Sequence, residues 1–294
     1  MKIINKDLFG NDIIKDVLLR DKFIEPPFST LDAKSGNWQN RKRQWKVLGI
    51  KSEIGRDATS FSTQKSSNKY DYMPDVGSDI SVFDPALCEL LYHWYCPDRG
   101  HILDPFAGGS VRGIVAHYLG YKYTGIELRQ EQVDSNREQG HDILDVNNQP
   151  QWYIGDSNTI LDDFKKEFDF VFSCPPYMDL EVYSDLYLDL SNMTDDRFVL
   201  MYDSIIKKSC NLLKSGGFVC FVVGDLRDKK TGGYKDFISI TKNGFKKAGM
   251  LLWNEAILLD PIGTAMLRAN GTFVKGGGKL VKVHQNVLIF KKPE

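Results

Sequence analysis

Two short stretches of this chain carry residue types that do chemistry together. The first, Asp104-Pro105-Phe106-Ala107-Gly108-Gly109-Ser110, follows a short apolar run. The second, Ser173-Cys174-Pro175-Pro176-Tyr177, follows Phe168-Asp169-Phe170-Val171-Phe172. Gly108 and Gly109 let the backbone turn tightly and approach a ligand with no Cβ in the way. Glu127 stands about 20 residues on, the spacing of a ribose-binding acid, and a carboxylate there accepts from both ribose hydroxyls. Asp156 closes the following strand and suits an adenine amine. Pro175 and Pro176 carry no N–H and have fixed φ, so their loop presents carbonyls with little entropy loss. The carbonyl of Pro175 is the candidate acceptor, and Tyr177 offers a ring for stacking.

The elements that must position these residues follow from apolar spacing. Helices are predicted over 39–48, 85–94, 111–119, 130–139, 198–213 and 238–248. Strands are predicted over 101–103, 123–126, 152–154, 168–172, 218–223, 251–259 and 286–290. Ser215-Gly216-Gly217 reads as the close of the fifth helix. Strands alternating with helices predict an α/β, doubly wound sheet, and the unalternating apolar strands predict burial on both faces. In such a sheet the ligand sits beyond the carboxyl ends of the strands, at the switch point. Residues 26–78 are rich in Ser, Asn, Lys, Gly and Pro, and 59–79 read as a long loop or arm. The expected division is an N-terminal basic extension over 1–79 and a catalytic domain over 80–294.

Composition excludes some classes. A chain of 294 residues with 42% hydrophobic residues can build a sizeable core. No apolar stretch approaches the length of a membrane span, and the first residues lack a signal-peptide pattern, so the expectation is a cytoplasmic protein. The five cysteines form no C-x-x-C pair, so neither a metal site nor a disulfide framework is expected. The formal net charge of −1 leaves a nucleic-acid partner open, because phosphate binding needs only a local basic face.

Asp-Pro-Phe followed by glycines, with Pro-Pro-Tyr downstream, resembles the S-adenosylmethionine-dependent methyltransferases that modify an exocyclic amine of a DNA base. The loop does not follow the dinucleotide spacing G-x-G-x-x-G. The resemblance implies a mostly parallel, seven-stranded Rossmann-like sheet, with S-adenosylmethionine as cofactor and double-stranded DNA as partner. It implies cofactor binding by Asp104, Phe106, Ala107, Gly108, Gly109, Glu127 and Asp156, with Phe83 and Pro85 beside the methionine part. Asp84-Pro85 reads equally as a helix start, with Asp as cap. The target amine would be flipped from the duplex and held at Ser173, Cys174, Pro175, Pro176 and Tyr177. The match extends from about residue 26 to the C-terminus and looks like methylases common in phages, which implies DNA modification, as in restriction–modification, in a bacterial or phage-infected cell. A monomer or homodimer is expected.

Two positions depart from the family pattern. Gly109 and Ser110 stand where it has Ser or Thr and then Gly. Cys174 stands where it has Asp, Asn or Ser, and a thiol is a poor acceptor. Three readings stay open beside Cys174 as a small strand-end residue. Ser173 substitutes; or an acid among Asp179, Glu181, Asp185 and Asp225 reaches the amine; or Cys174 is a nucleophile, as in carbon-5 cytosine methyltransferases. An RNA or protein-glutamine methyltransferase and a DNA-binding regulator with an inactive core are the alternatives for the whole chain.

For nucleic-acid contact the candidates are Arg41, Lys42, Arg43 and Trp45 in the basic segment, and Arg227 and Lys279 beyond it. A helix docking Trp45 into the core is the plain alternative. Arg227 either meets a phosphate or pairs with Asp225 or Asp228. Lys279, Lys282 and His284, beside the predicted loop Gly276-Gly277-Gly278, are placed to touch phosphate.

Overall fold

Near-continuous apolar runs build a sheet that is covered on both sides. The structure, a computed structural model, describes residues 2–6, 12–16, 23–50, 83–165, 167–178, 184–263 and 265–294, with side chains for all but 2–6, 12–16 and 268. In chain order the elements are β1 (Lys2–Lys6), β2 (Asp12–Asp16), β3 (Thr30–Asp32), α1 (Gly36–Val47) and α2 (Pro85–Tyr95). Then come β4 (His101–Asp104), α3 (Val111–Tyr118), β5 (Lys122–Glu127), α4 (Gln130–Ile143), β6 (Gln151–Ile154), α5 (Ser157–Asp163) and β7 (Phe168–Ser173). A 3-10 turn (Leu190–Asn192) precedes α6 (Asp195–Leu212), β8 (Leu213–Val223), α7 (Phe237–Lys247), β9 (Leu251–Leu259), α8 (Ala265–Lys275) and β10 (His284–Lys291).

β1 and β2 form an antiparallel ribbon of their own. Among the described residues the main sheet has eight strands in the order β3-β9-β10-β8-β7-β4-β5-β6. All run parallel except β10, which pairs antiparallel with both β8 and β9. The doubly wound, mostly parallel Rossmann-like sheet expected from the sequence is therefore present, with one strand more than seven. The addition is β3, from the N-terminal segment, on the edge beside β9.

Period-two alternation sends neighbouring residues to opposite cores. Phe170 and Phe172 of β7, Cys220 and Val222 of β8, and Val287 and Ile289 of β10 join the core under α1 to α4. Val171, Val219, Phe221, Val223, Leu288 and Phe290 join the core under α5 to α7. The chain adds β5 and β6 on one side of β4, then returns to add β7 and β8 on the other, so the switch point lies between β4 and β7.

The glycines after α6 act differently from the sequence expectation. The helix ends at Leu212, and the next strand begins at once. Phe168 pairs with Leu213 and Phe170 with Phe218, so residues 214–217 bulge opposite Asp169 alone. Gly216 supplies the left-handed φ of +72° that this bulge needs. The short α5 and the whole of α8 were not expected from apolar spacing.

Candidate active site

Asp104 ends β4, is fully buried, and organises the loops on both sides of the switch point. Its Oδ1 accepts from Phe106 N at 3.1 Å and from Ser173 Oγ at 2.5 Å. Its Oδ2 accepts from Arg112 Nε at 2.5 Å and Tyr123 Oη at 2.7 Å. Arg112 also donates to the carbonyls of Phe106 and Ala107 at 2.6 and 2.8 Å, and its guanidinium lies 4.7 Å from the centre of the Phe83 ring. Burial opposes its charge, but the Asp104 carboxylate, to which it also donates, together with Tyr123 and Cys174 holds the guanidinium well above its ordinary pKa. Arg112 was not singled out from the sequence. Its signal there is a cation within the apolar helix 111–119.

The glycine loop is held against β5. Ala107 N donates to Ile126 O at 2.9 Å, and Gly108 N donates to Glu127 Oε2 at 3.0 Å. Gly108 adopts φ +50°. Gly125 permits the approach, since a Cβ there would meet Ala107 Cβ at 2.8 Å. Glu127 Oε1 accepts from Arg129 N at 3.0 Å. Asp156 follows Gly155 and caps α5, accepting from Asn158 N at 3.0 Å and Thr159 Oγ1 at 3.2 Å. Ser157 Oγ donates to Pro105 O at 2.5 Å and ties α5 to the first loop.

These loops open on a cavity of about 640 Å³. Phe106, Gly108, Glu127, Gly155 and Asp156 line one lobe, beyond β4, β5 and β6. Leu258, Asp260, Gly224, Lys282 and His284 line the other, beyond β8, β9 and β10. Cys174 to Tyr177, from the end of β7, lie on the wall between them. Phe83 also lines the cavity. Asp104 and Ala107 are buried behind its wall, Pro85 is buried as the first residue of α2, and Gly109 is half-buried outside the lining. Asp84 caps α2 through Ala86 N and Leu87 N, at 2.9 and 3.3 Å, as the helix-start reading expected.

Cys174 Sγ lies 3.7 Å from Tyr177 Oη, and the Tyr177 ring packs edge-on against Phe237 at 5.8 Å. Met178 closes the loop at φ +45°, a conformation costing a non-glycine residue roughly 1–3 kcal/mol. Ser173 is fully buried and committed to Asp104, so it does not stand in for Cys174 at the cavity wall. Asp225 Oδ1 accepts from Leu226 N and Phe237 N, at 3.1 and 3.0 Å, and Asp185 is exposed. Asp179 and Glu181 lie outside the described residues.

Two of the nucleic-acid candidates are core residues. Arg41 Nε and Nη2 grip both oxygens of the buried Glu89, at 2.8 and 2.6 Å. Trp45 Nε1 donates to the same carboxylate at 2.8 Å, and its ring is fully buried against Tyr118. Helical spacing put both on the inner face of α1, and the apolar surface of α2 and α3 captured that face. Lys42 pairs with Asp84 at 3.1 Å on the cavity wall, and Arg43 is exposed beside Asn40. Arg227 does not pair with Asp225 or Asp228 as one reading had it. It donates to Gly232 O at 3.0 Å and lies 4.1 Å from the centre of the Tyr234 ring. Lys279 packs against Gly232. Among the described residues no cluster of His, Cys, Asp or Glu could hold a metal, and no helix is long and apolar enough to cross a membrane.

No protein-family model matches the chain, and no curated protein matches it. Among solved structures it is similar to TrmN from Thermus thermophilus, at 14% identity and TM-score 0.45 over 71% of this chain and 49% of that one. This chain thus spans about half the length of TrmN. It is similar to a putative RNA methyltransferase from Pyrococcus horikoshii, at 14% identity and TM-score 0.49 over 87% and 100% of the two chains. A precorrin-6y C5,15-methyltransferase from Geobacter metallireducens matches at 15% identity and TM-score 0.46, over 82% and 99%. What the site does rests on its own residues.

Proposed function

We propose that this protein is an S-adenosylmethionine-dependent methyltransferase acting on the exocyclic amine of adenine or cytosine in double-stranded DNA. One observation carries the reading: the glycine–carboxylate lobe and the Pro-Pro-Tyr loop open on a single cavity, on either side of the switch point.

The residues of the first lobe fit the cofactor. Glu127 ends β5 and Asp156 follows β6 as the cap of α5, both at the cavity wall, and Gly108 brings backbone to it without a side chain. A carboxylate there suits ribose hydroxyls, and one at Asp156 suits an adenine amine. The cavity is within the usual size range for cofactor sites. When bound, S-adenosylmethionine supplies an electrophilic methyl group.

The chain's own part is to place a nucleophile. An aryl amine is a poor one because its lone pair is delocalised into the ring. The Pro175 carbonyl accepts from the amine hydrogens and favours a tetrahedral nitrogen, stabilising the transition state more than the ground state. Tyr177 stacks on the base, offsetting part of the cost of taking it from the duplex. Phe237 holds the Tyr177 ring, and the Asp104–Ser173 bond fixes the spacing of the two loops.

The test is transfer of labelled methyl to unmethylated duplex DNA, followed by nucleoside digestion and mass spectrometry. Methyl on an exocyclic amine is expected. Methyl at carbon-5 of cytosine would make Cys174 the nucleophile and overturn the amine reading. Transfer to RNA or protein alone would replace the partner, and failure to bind S-adenosylmethionine would remove the reaction.

A further inference from the structure

The second lobe contains a cation that the amine chemistry leaves unused. Lys282 lies between α8 and β10 and lines the cavity beside Tyr177. Gly224, at the end of β8, locates it: a Cβ there would lie 3.8 Å from Lys282 Nζ and 3.9 Å from Tyr177 Oη. The ammonium and the tyrosine hydroxyl therefore both lie within contact distance of a side chain placed at Gly224, and all three residues line the cavity. Lys282 makes no ion pair among the described residues. Burial lowers its pKa, while the charges of Asp225 and Asp260 oppose that fall. A half-buried ammonium facing a cavity has lost hydration, and a ligand acceptor atom can restore it.

The sequence reading placed Lys282 against DNA phosphate. Its position within the cavity wall, next to the ring proposed to stack on the base, favours an atom of the base itself. We propose that Lys282 is a specificity residue of this lobe, donating from its ammonium to the ring nitrogen that flanks the target amine. Its role rests on the amine-transfer reading of the site. Both candidate bases carry such an atom: ring nitrogen 3 beside the amine of cytosine, and ring nitrogen 1 beside that of adenine. A carbonyl from Pro175 on the amine and an ammonium from Lys282 on the ring nitrogen together read a donor–acceptor edge. Gly224, without a Cβ, leaves room beside both Tyr177 and Lys282.

The experiment pairs an altered enzyme with an altered base. Transfer is measured for the wild type and Lys282→Met, on duplexes carrying either the natural target base or its deaza analogue. The analogue, 3-deazacytosine or 1-deazaadenine, replaces the flanking ring nitrogen by C–H. For the wild type the analogue should lower kcat/KM by about tenfold or more, the loss of a charge-assisted hydrogen bond. For Lys282→Met the natural base should fall by a similar factor, and the analogue should fall little further. Equal discrimination by the two enzymes would overturn the contact. Methionine keeps the apolar stem, and unchanged affinity for S-adenosylmethionine would show that the fold is intact. Gly224→Ala is the second variant; its backbone needs no left-handed φ. It should raise KM for DNA severalfold without changing cofactor affinity, and an unchanged KM would remove the acceptor from this lobe. Absence of transfer to any nucleic acid would instead overturn the amine reading, and the role of Lys282 with it.

Discussion

The Ser173 hydroxyl donates a 2.5 Å hydrogen bond to the Asp104 carboxylate and so joins the ends of β7 and β4. These strands flank the switch point, and each leads directly into one of the two loops that face the cavity. The bond makes the separation of those loops a property of the core rather than of the surface.

Replacing Ser173 by Ala should therefore act on stability and on geometry together. Asp104 keeps Phe106 N, Tyr123 and Arg112 but loses one bond to a buried charged acceptor, worth about 1.5–3 kcal/mol. A lower urea midpoint is expected, with a loss in kcat larger than the change in cofactor affinity. A variant with wild-type stability and rate would show that the bond positions nothing.

Glu89 anchors the N-terminal helix. It accepts from Arg41, Trp45 and Phe23 N, all in the segment 23–50. Glu89→Ala leaves the Arg41 guanidinium buried without its carboxylate, a change of about 3–5 kcal/mol. Limited proteolysis should then cut within 36–47 before the rest of the chain. Equal protection of this helix in wild type and variant would contradict the assignment.

Thiol chemistry separates Cys174 from the other four cysteines. Burial pushes Cys96 and Cys210 up to about 12 and raises Cys88 and Cys220 well above the ordinary range. Cys174 alone among the five is only partly buried. At pH 8 the folded protein should take up one equivalent of thiol reagent, at Cys174, and saturating S-adenosylmethionine should slow that uptake. Peptide mapping that finds the label spread over several cysteines would count against this placement.

His117 sets an acid limit on stability. Its Nε2 accepts from Tyr123 N at 3.1 Å, so that nitrogen carries no proton, while Nδ1 lies 2.8 Å from Asn148 Oδ1. Burial lowers its pKa below the ordinary value. The unfolded chain thus binds the proton first as pH falls. Stability from this site is complete above about pH 6.5 and is lost between there and the lower folded-state pKa. Urea midpoints measured from pH 8 to pH 5 should fall with acid in the wild type and fall less steeply in His117→Gln. Identical slopes would exclude this residue as the cause.

Salt dependence distinguishes cations that reach DNA from those that hold the fold. If double-stranded DNA is the partner, Arg43→Ala, at the exposed candidate of the basic segment, should reduce the slope of log affinity against log salt by roughly 1. Arg41→Met should leave that slope unchanged, because Arg41 is committed to Glu89. Anisotropy titrations at several salt concentrations measure this directly, and a reduced slope for Arg41→Met would refute its assignment to the core.

Much of the fold is written locally in this sequence. The strand at 168–173 and the helices beginning at Pro85, Val111 and Gln130 follow their apolar spacing, because each has one face or run that must leave water, and Asp84 caps the first of these helices; β9 keeps the predicted bounds 251–259 although its first four residues are exposed. The two loops were legible for the same reason: glycine and proline declare backbone conformation without help from the rest of the chain. What tertiary structure alone decided is the partner of each polar side chain. Asp104 looked like a ligand contact and became a buried hub, because Ser173, Tyr123 and Arg112 converge on it from three other elements. Arg41 and Trp45 looked like a basic, aromatic surface and became core, because Glu89, more than 40 residues away, offers a buried carboxylate to both. Lys282 lies in a weakly patterned stretch and gained its place from the pairing of β10 with β8, which sets the residues before His284 beside Gly224 and Tyr177. Periodicity records whether a residue is buried; which charges meet depends on strand order, and strand order is a long-range property of the packed sheet.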